Sequence, residues 1–217
     1  MFLDPDVTRY IHLKSMSGDF HTVRKILLDD PSQVHSTNGR LTVPPIFYAS
    51  RYGHLKTCET LFNFGANLHE QVQGWTPLFE ACSGNHIHIV KWLLDHGVDP
   101  SACLKFSRMS PLMHAARRGF VTVCKVLVDH GADLWAKSVD SKMAIDFCDV
   151  EKSGYPLQGS APTKAFLVRE MKRYLMWKAW ACGEHDALPE ISLSGDVLKH
   201  VFSSFPEDLF IELVSYI

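Results

Sequence analysis

One spacing constrains this chain more than anything else in it. Pro45, Pro77 and Pro111 follow one another at intervals of 32 and 34 residues. Gly65, Gly97 and Gly131 keep the same two intervals, and so do Gly53, Asn85 and Gly119. Three landmarks moving in step define a repeated supersecondary unit of about 33 residues; such a unit cannot bury its apolar face alone and must stack on its neighbours. Counting back 35 residues from Gly53 reaches Gly18 in "YIHLKSMSGDFHTVRKILLDD", a degenerate first copy.

Each landmark has a mechanical reading. Thr76 and Ser110 are placed to cap a helix with their hydroxyls, and the prolines after them fit the first helical position, where a missing N–H costs nothing. That helix should stop near Gly53, Asn85 or Gly119, residues that enter the left-handed turn cheaply. A second helix follows at once: Val90, Leu93 and Leu94, then Val123, Val126 and Leu127, recur at the spacing of one apolar helical face. The later glycine closes it. The unit is therefore two antiparallel helices and a connection to the next pair.

The segments "TPLFEACSGNHIHIVKWLLDHGVD" and "SPLMHAARRGFVTVCKVLVDHGAD" resemble the ankyrin repeat, over about residues 7–148. "PPIFYASRYGHLKTCETLFNFGAN" matches well and the outer copies loosely. The resemblance implies an all-α ankyrin-repeat solenoid of helix-turn-helix units with a helical C-terminal cap or tail. The repeat domain is expected over residues 1–181, in units of about 7–38, 39–71, 72–104, 105–137 and a divergent 138–181. The family histidine after "TPL" is replaced by Phe47, Phe79 and Met113, and only His12 retains it. Apolar packing should substitute for those hydrogen bonds.

The last copy opens as "KSVDSKMAIDFC" and breaks into "DVEKSGYPLQGSAP", which reads as an inserted loop. After it, Phe166, Leu167, Met171, Tyr174 and Leu175 share a helical face within residues 163–180, as expected of the missing outer helix or of a cap over the end of the stack. A linker is expected at 182–190 and a two-helix tail at 191–217. In that tail Val197, Leu198, Val201, Phe202 and Phe205 form one stripe, and Leu209, Phe210, Leu213, Val214 and Ile217 a second. "FPEDLFIELVSYI" is similar to the opening of an F-box, and its Leu-rich helical character also resembles a SOCS box. Either would make the tail a docking element for a ubiquitin-ligase scaffold; folding back as a cap is the other reading.

Several function classes find no support. A formal charge of −2 offers no global reason to expect nucleic acid or an anionic membrane as partner. At 46% apolar and 21% charged residues the chain has the makings of a packed core. Its cysteines stand apart with no CxxC pair, so reduced, buried thiols are expected rather than zinc ligands or a disulfide framework. The opening "MFLDPDVTRY" lacks the order of a secretory signal, and the expectation is a cytoplasmic or nuclear protein. His86 and His88, two residues apart, are expected to point apart and to hold no metal. No phosphate-binding glycine pattern is present. No catalytic residue, cofactor or metal site is assigned, and the chain is not expected to be an enzyme.

Function in a stack of this kind is expected on its concave face. The inner-helix positions that should point into that groove are Tyr48, Arg51, Tyr52, Glu80, His114, Arg117 and Arg118; the connection tips add Arg40, Leu41, Trp75, Phe106, Arg108 and Trp135. Tyrosine, tryptophan and arginine dominate binding hot spots. Arg51, Arg117 and Arg118 form a candidate basic stripe for an acidic peptide segment. The expectation is a non-catalytic protein-interaction module, with a substrate adaptor as its sharper form and a regulatory or structural subunit with a capping tail as the alternative.

Overall fold

The computed structural model describes residues 5–37, 43–149 and 160–182. Arg40, Leu41, the loop after Asp149 and the expected tail helices at 191–217 lie outside the described residues. Helices pair in chain order: α1 (Pro5–Ser17) with α2 (Phe20–Asp29), α3 (Pro45–Tyr52) with α4 (Leu55–Asn63), α5 (Pro77–Ser83) with α6 (Ile87–Asp95), and α7 (Pro111–Arg118) with α8 (Val121–Asp129). The inner helices α1, α3, α5 and α7 pack in a row, with α8 beside α6 and α4 beside α2 on the outer layer. Among the described residues there is no strand, only a bridge between Val72 and Trp75.

The prolines begin helices for the reason the sequence implies. Thr76 Oγ1 accepts the Phe79 N–H at 3.0 Å, and Ser110 Oγ accepts that of Met113 at 3.2 Å. In the second unit Pro44 stands at the capping position and supplies no side-chain oxygen. The inner helices end where the backbone turns left-handed, at φ +85° for Gly53 and +58° for Asn85. Phe47, Phe79 and Met113 are buried where the family has histidine, while His12 Nε2 donates to the Val43 carbonyl at 3.0 Å. Apolar packing and an imidazole bridge thus coexist at equivalent positions.

A continuous core runs the length of the stack, from Ile11 and Leu27 through Ile46, Leu61, Leu78, Ile89 and Leu93 to Leu112 and Leu127. Each such side chain, fully buried, contributes about 1.5–3 kcal/mol. Units are also joined by imidazoles at the outer-helix N-termini. His54 Nε2 donates to Met16 O at 2.9 Å, and His86 Nε2 to Arg51 O at 2.9 Å. His88 Nε2 reaches Gly53 O at 3.2 Å, so His86 and His88 both turn toward the preceding unit. That corrects the expectation that they diverge: His86 stands at the N-cap, before helical periodicity begins.

The fifth copy departs from the others in its inner element. Its inner element is a 3-10 turn at Ala144–Asp149, packed against α7. α9 (Ser160–Cys182) then lies against α7, α8 and that turn, covering the end of the core with Phe166, Leu167 and Met171. Tyr174, assigned to the same face from its spacing, is 40% exposed and meets the Trp135 ring at 6.2 Å.

Candidate functional site

The inner helices present three columns toward the concave side, set by their distance from each starting proline. Tyr48, Glu80 and His114 occupy the first; Arg51, Ser83 and Arg117 the second; Tyr52, Gly84 and Arg118 the third. Helical geometry puts residues three and four apart on one face, so the columns lie side by side across the units. The connection tips project beside them. Three of the described tips turn through a left-handed residue, Gln73, Arg108 and Ser141, with φ between +51° and +58°.

Arg51, Tyr52, Arg117 and Arg118 are exposed, as their register implies. Tyr48 is half-buried and meets His12 edge-on at 5.5 Å. Trp75 leans edge-on against Phe79 at 4.9 Å and stays partly exposed, while Phe106 stands 76% exposed on the next tip, beside the exposed Arg108. Trp135 is half-buried beside α9.

Glu80 departs from its expected place. It is buried, and its Oε2 lies 3.3 Å from Arg51 Nη1. Burial raises its pKa above the ordinary carboxylate value, and the nearby arginine offsets only part of that. The alternation of exposed and buried positions cannot reveal such a residue, because the apolar neighbours that enclose it come from the adjoining units. Arg51 is correspondingly engaged, so the basic stripe is interrupted at its N-terminal end.

His114 is also drawn in. Its Nε2 shares a hydrogen bond with Ser83 Oγ at 3.1 Å and its ring lies 4.9 Å from that of Phe79. Burial, then the charges of Arg117 and Arg118, push its pKa down to about 4. At neutral pH it is an uncharged imidazole, so it adds no charge to the face. Ser83 was not singled out from the sequence, although its register between Arg51 and Arg117 marks it. Leu13 of α1 is 51% exposed, and the 35-residue interval places it in register with Tyr48.

Among the described residues, no group of three or more His, Cys, Asp and Glu is placed to hold a metal ion, and no helix is long and apolar enough to cross a membrane. Burial pushes the thiols of Cys58 and Cys124 up to about 12 and raises that of Cys82, which leaves each protonated at neutral pH.

A family model described as ankyrin repeats in three copies matches residues 11–103 and again 46–138, more than half of the chain. The chain belongs to the ankyrin repeat family. Its ankyrin repeats indicate a protein–protein interaction module. Residues of this ankyrin protein are 36% identical over 84 positions to mouse ankyrin repeat and SAM domain-containing protein 6, a match covering 38% of this chain and 9% of that one. Mouse protein phosphatase 1 regulatory subunit 27 is 31% identical over 86 residues, covering 39% of this chain and 51% of the relative. The similarity therefore spans about half or less of each relative's length.

Proposed function

We propose that this ankyrin protein is a non-catalytic recognition module that holds a partner protein along its concave face, with an acidic segment of that partner toward the fourth unit. The observation that carries this reading is the pair Arg117 and Arg118, exposed on the inner face without an acidic partner among the described residues. Tyr52, Trp75 and Phe106 supply the aromatic contact area that such a face needs. The sharper form of the reading is a substrate adaptor in the cytoplasm or nucleus, whose segment 191–217 offers a ubiquitin-ligase scaffold a second docking point.

The test compares proteins captured by the full chain and by a version ending at Cys182, each binding then repeated with purified components. An adaptor keeps its groove partner on truncation and loses a ligase scaffold; a chain that loses no second partner is not one. The regulatory-subunit reading is favoured by the relative whose name says regulatory subunit. Under it, truncation changes solubility and leaves the set of partners as it was.

A further inference from the structure

The face already contains one example of what it does with a carboxylate. Arg51 of the second unit is met by Glu80 of the third, 29 residues further on. Arg117 occupies the register of Arg51, but the fifth copy's turn starts at Ala144, so the position that answers to Glu80 there is the apolar Phe147, and the acid of that turn, Asp146, stands one residue earlier. Asp146 does not make the pairing. Its Oδ2 accepts the Met143 N–H at 2.8 Å, capping the 3-10 turn of the fifth copy. Among the described residues Arg117 thus keeps the position of a paired arginine without the pair, and the Arg118 guanidinium beside it lies over the Phe120 ring, 5.4 Å from its centre.

The surroundings supply no acid of their own. Between the two arginine-bearing units the third column holds Gly84, which contributes no side chain; the place of its Cβ is taken by the His86 ring and the Arg51 carbonyl. Ser83 and the neutral His114 form a polar floor without net charge. Tyr52, on the near side of Gly84, is 46% exposed.

We infer that the fourth unit seats a carboxylate side chain of an extended peptide ligand on Arg117 and Arg118, in the place that Glu80 takes on Arg51, with an apolar residue of the ligand about five positions away against Tyr52, since α3 and α7 are two packed helices apart. The inference rests on the concave-face reading and adds to it the ligand's chemistry and its seat. Planar guanidinium groups take a carboxylate through paired N–H donors, which gives the seat direction as well as charge.

His114 is the built-in reporter. Its pKa is low partly because two arginines face it, so a bound carboxylate that offsets their charge raises it. The probes are three twelve-residue peptides, identical except for a Glu-Glu, Gln-Gln or phosphoserine pair near one end, with Leu and Phe about five residues away from it. Binding to the full chain is measured by fluorescence anisotropy, and the His114 ring protons are titrated by NMR with and without peptide. Expected are tightest binding of the Glu-Glu peptide, a rise in the His114 pKa on its addition, and a loss of about fivefold for each of Arg117→Gln and Arg118→Gln, the scale of an exposed ion pair. Both side chains are exposed, so folding should survive, as circular dichroism will check.

Tighter binding of the phosphoserine or Gln-Gln peptide, or no binding of the Glu-Glu peptide, overturns the carboxylate seat. Binding unchanged by the arginine variants but weakened by Tyr52→Asp overturns the seat while leaving the concave-face reading intact. Binding unaffected by every one of these substitutions, with exchange protection on α4, α6 and α8, overturns both.

Discussion

Replacing Gly74 by alanine tests how neighbouring units are held together, provided it is compared with the same change at Gly97. Both glycines have left-handed backbones, at φ +88° and +79°. An L-residue there costs about 1–2 kcal/mol at either site. The sites differ in what a new Cβ meets. At Gly97 nothing lies within 4 Å; at Gly74 the Cβ would stand 2.8 Å from Leu104 Cα and closer still to the Lys105 backbone nitrogen, in the connection that follows. Backbone cannot rotate away as a side chain can, so the third tip must shift, at a further cost of about 1–3 kcal/mol. Gly97→Ala should lower Tm by about 2–8 °C, at about 2–4 °C per kcal/mol for a chain of this size. Gly74→Ala should fall further, with a gap of about 1–3 kcal/mol between the variants in urea titrations followed by circular dichroism. Equal loss at the two sites would refute the claim that the tips pack backbone against backbone.

Other substitutions probe the inner face. Glu80→Gln should be at least as stable as the parent at pH 7, since burial disfavours the charged form; a destabilisation above about 1 kcal/mol in urea titrations, the scale of a net hydrogen bond, would contradict this. His114 should make the chain acid-sensitive: between pH 6.5 and about 4 the unfolded chain binds a proton that the folded chain refuses, so stability falls as pH drops through that window, by up to about 3 kcal/mol. His114→Gln should flatten that slope in urea titrations across the window, and an unchanged slope would sink the assignment. Thr76→Ala removes the cap on the Phe79 N–H and should cost about 1 kcal/mol in the same assay, with no cost pointing to a cap made elsewhere. Among the described cysteines, exposed Cys103 should be alkylated first in the native chain, with Cys58, Cys82, Cys124 and Cys148 following only on unfolding, as mass spectrometry would show.

Much of the architecture was legible because the unit repeats its punctuation. Pro45, Pro77 and Pro111 begin helices, and Gly53, Asn85 and Gly119 end them, for reasons internal to each unit. Exposure of Arg51, Tyr52, Arg117 and Arg118 followed from register alone. What spacing could not convey lies between units. Glu80 turns inward because α3 and α5 bring Arg51 beside it, and His86 and His88 both reach back because the preceding turn offers two carbonyls. Asp146 shows the same limit: it stands 29 residues beyond Arg117, as Glu80 does beyond Arg51, yet the fifth copy's turn starts at Ala144, which puts Asp146 one residue short of the register of Glu80 and turns its carboxylate to the Met143 N–H. Periodicity names the face on which a residue stands; the packing of adjacent copies decides whether it is spent on the fold or left for a ligand.

Hydrogen–deuterium exchange on the full chain, alone and saturated with a purified partner, bears most directly on how this protein works. Protection concentrated on α3, α5 and α7 and on the tips around Trp75 and Phe106 is the expected result. Protection confined to α4, α6 and α8, with the inner helices unchanged, would contradict it.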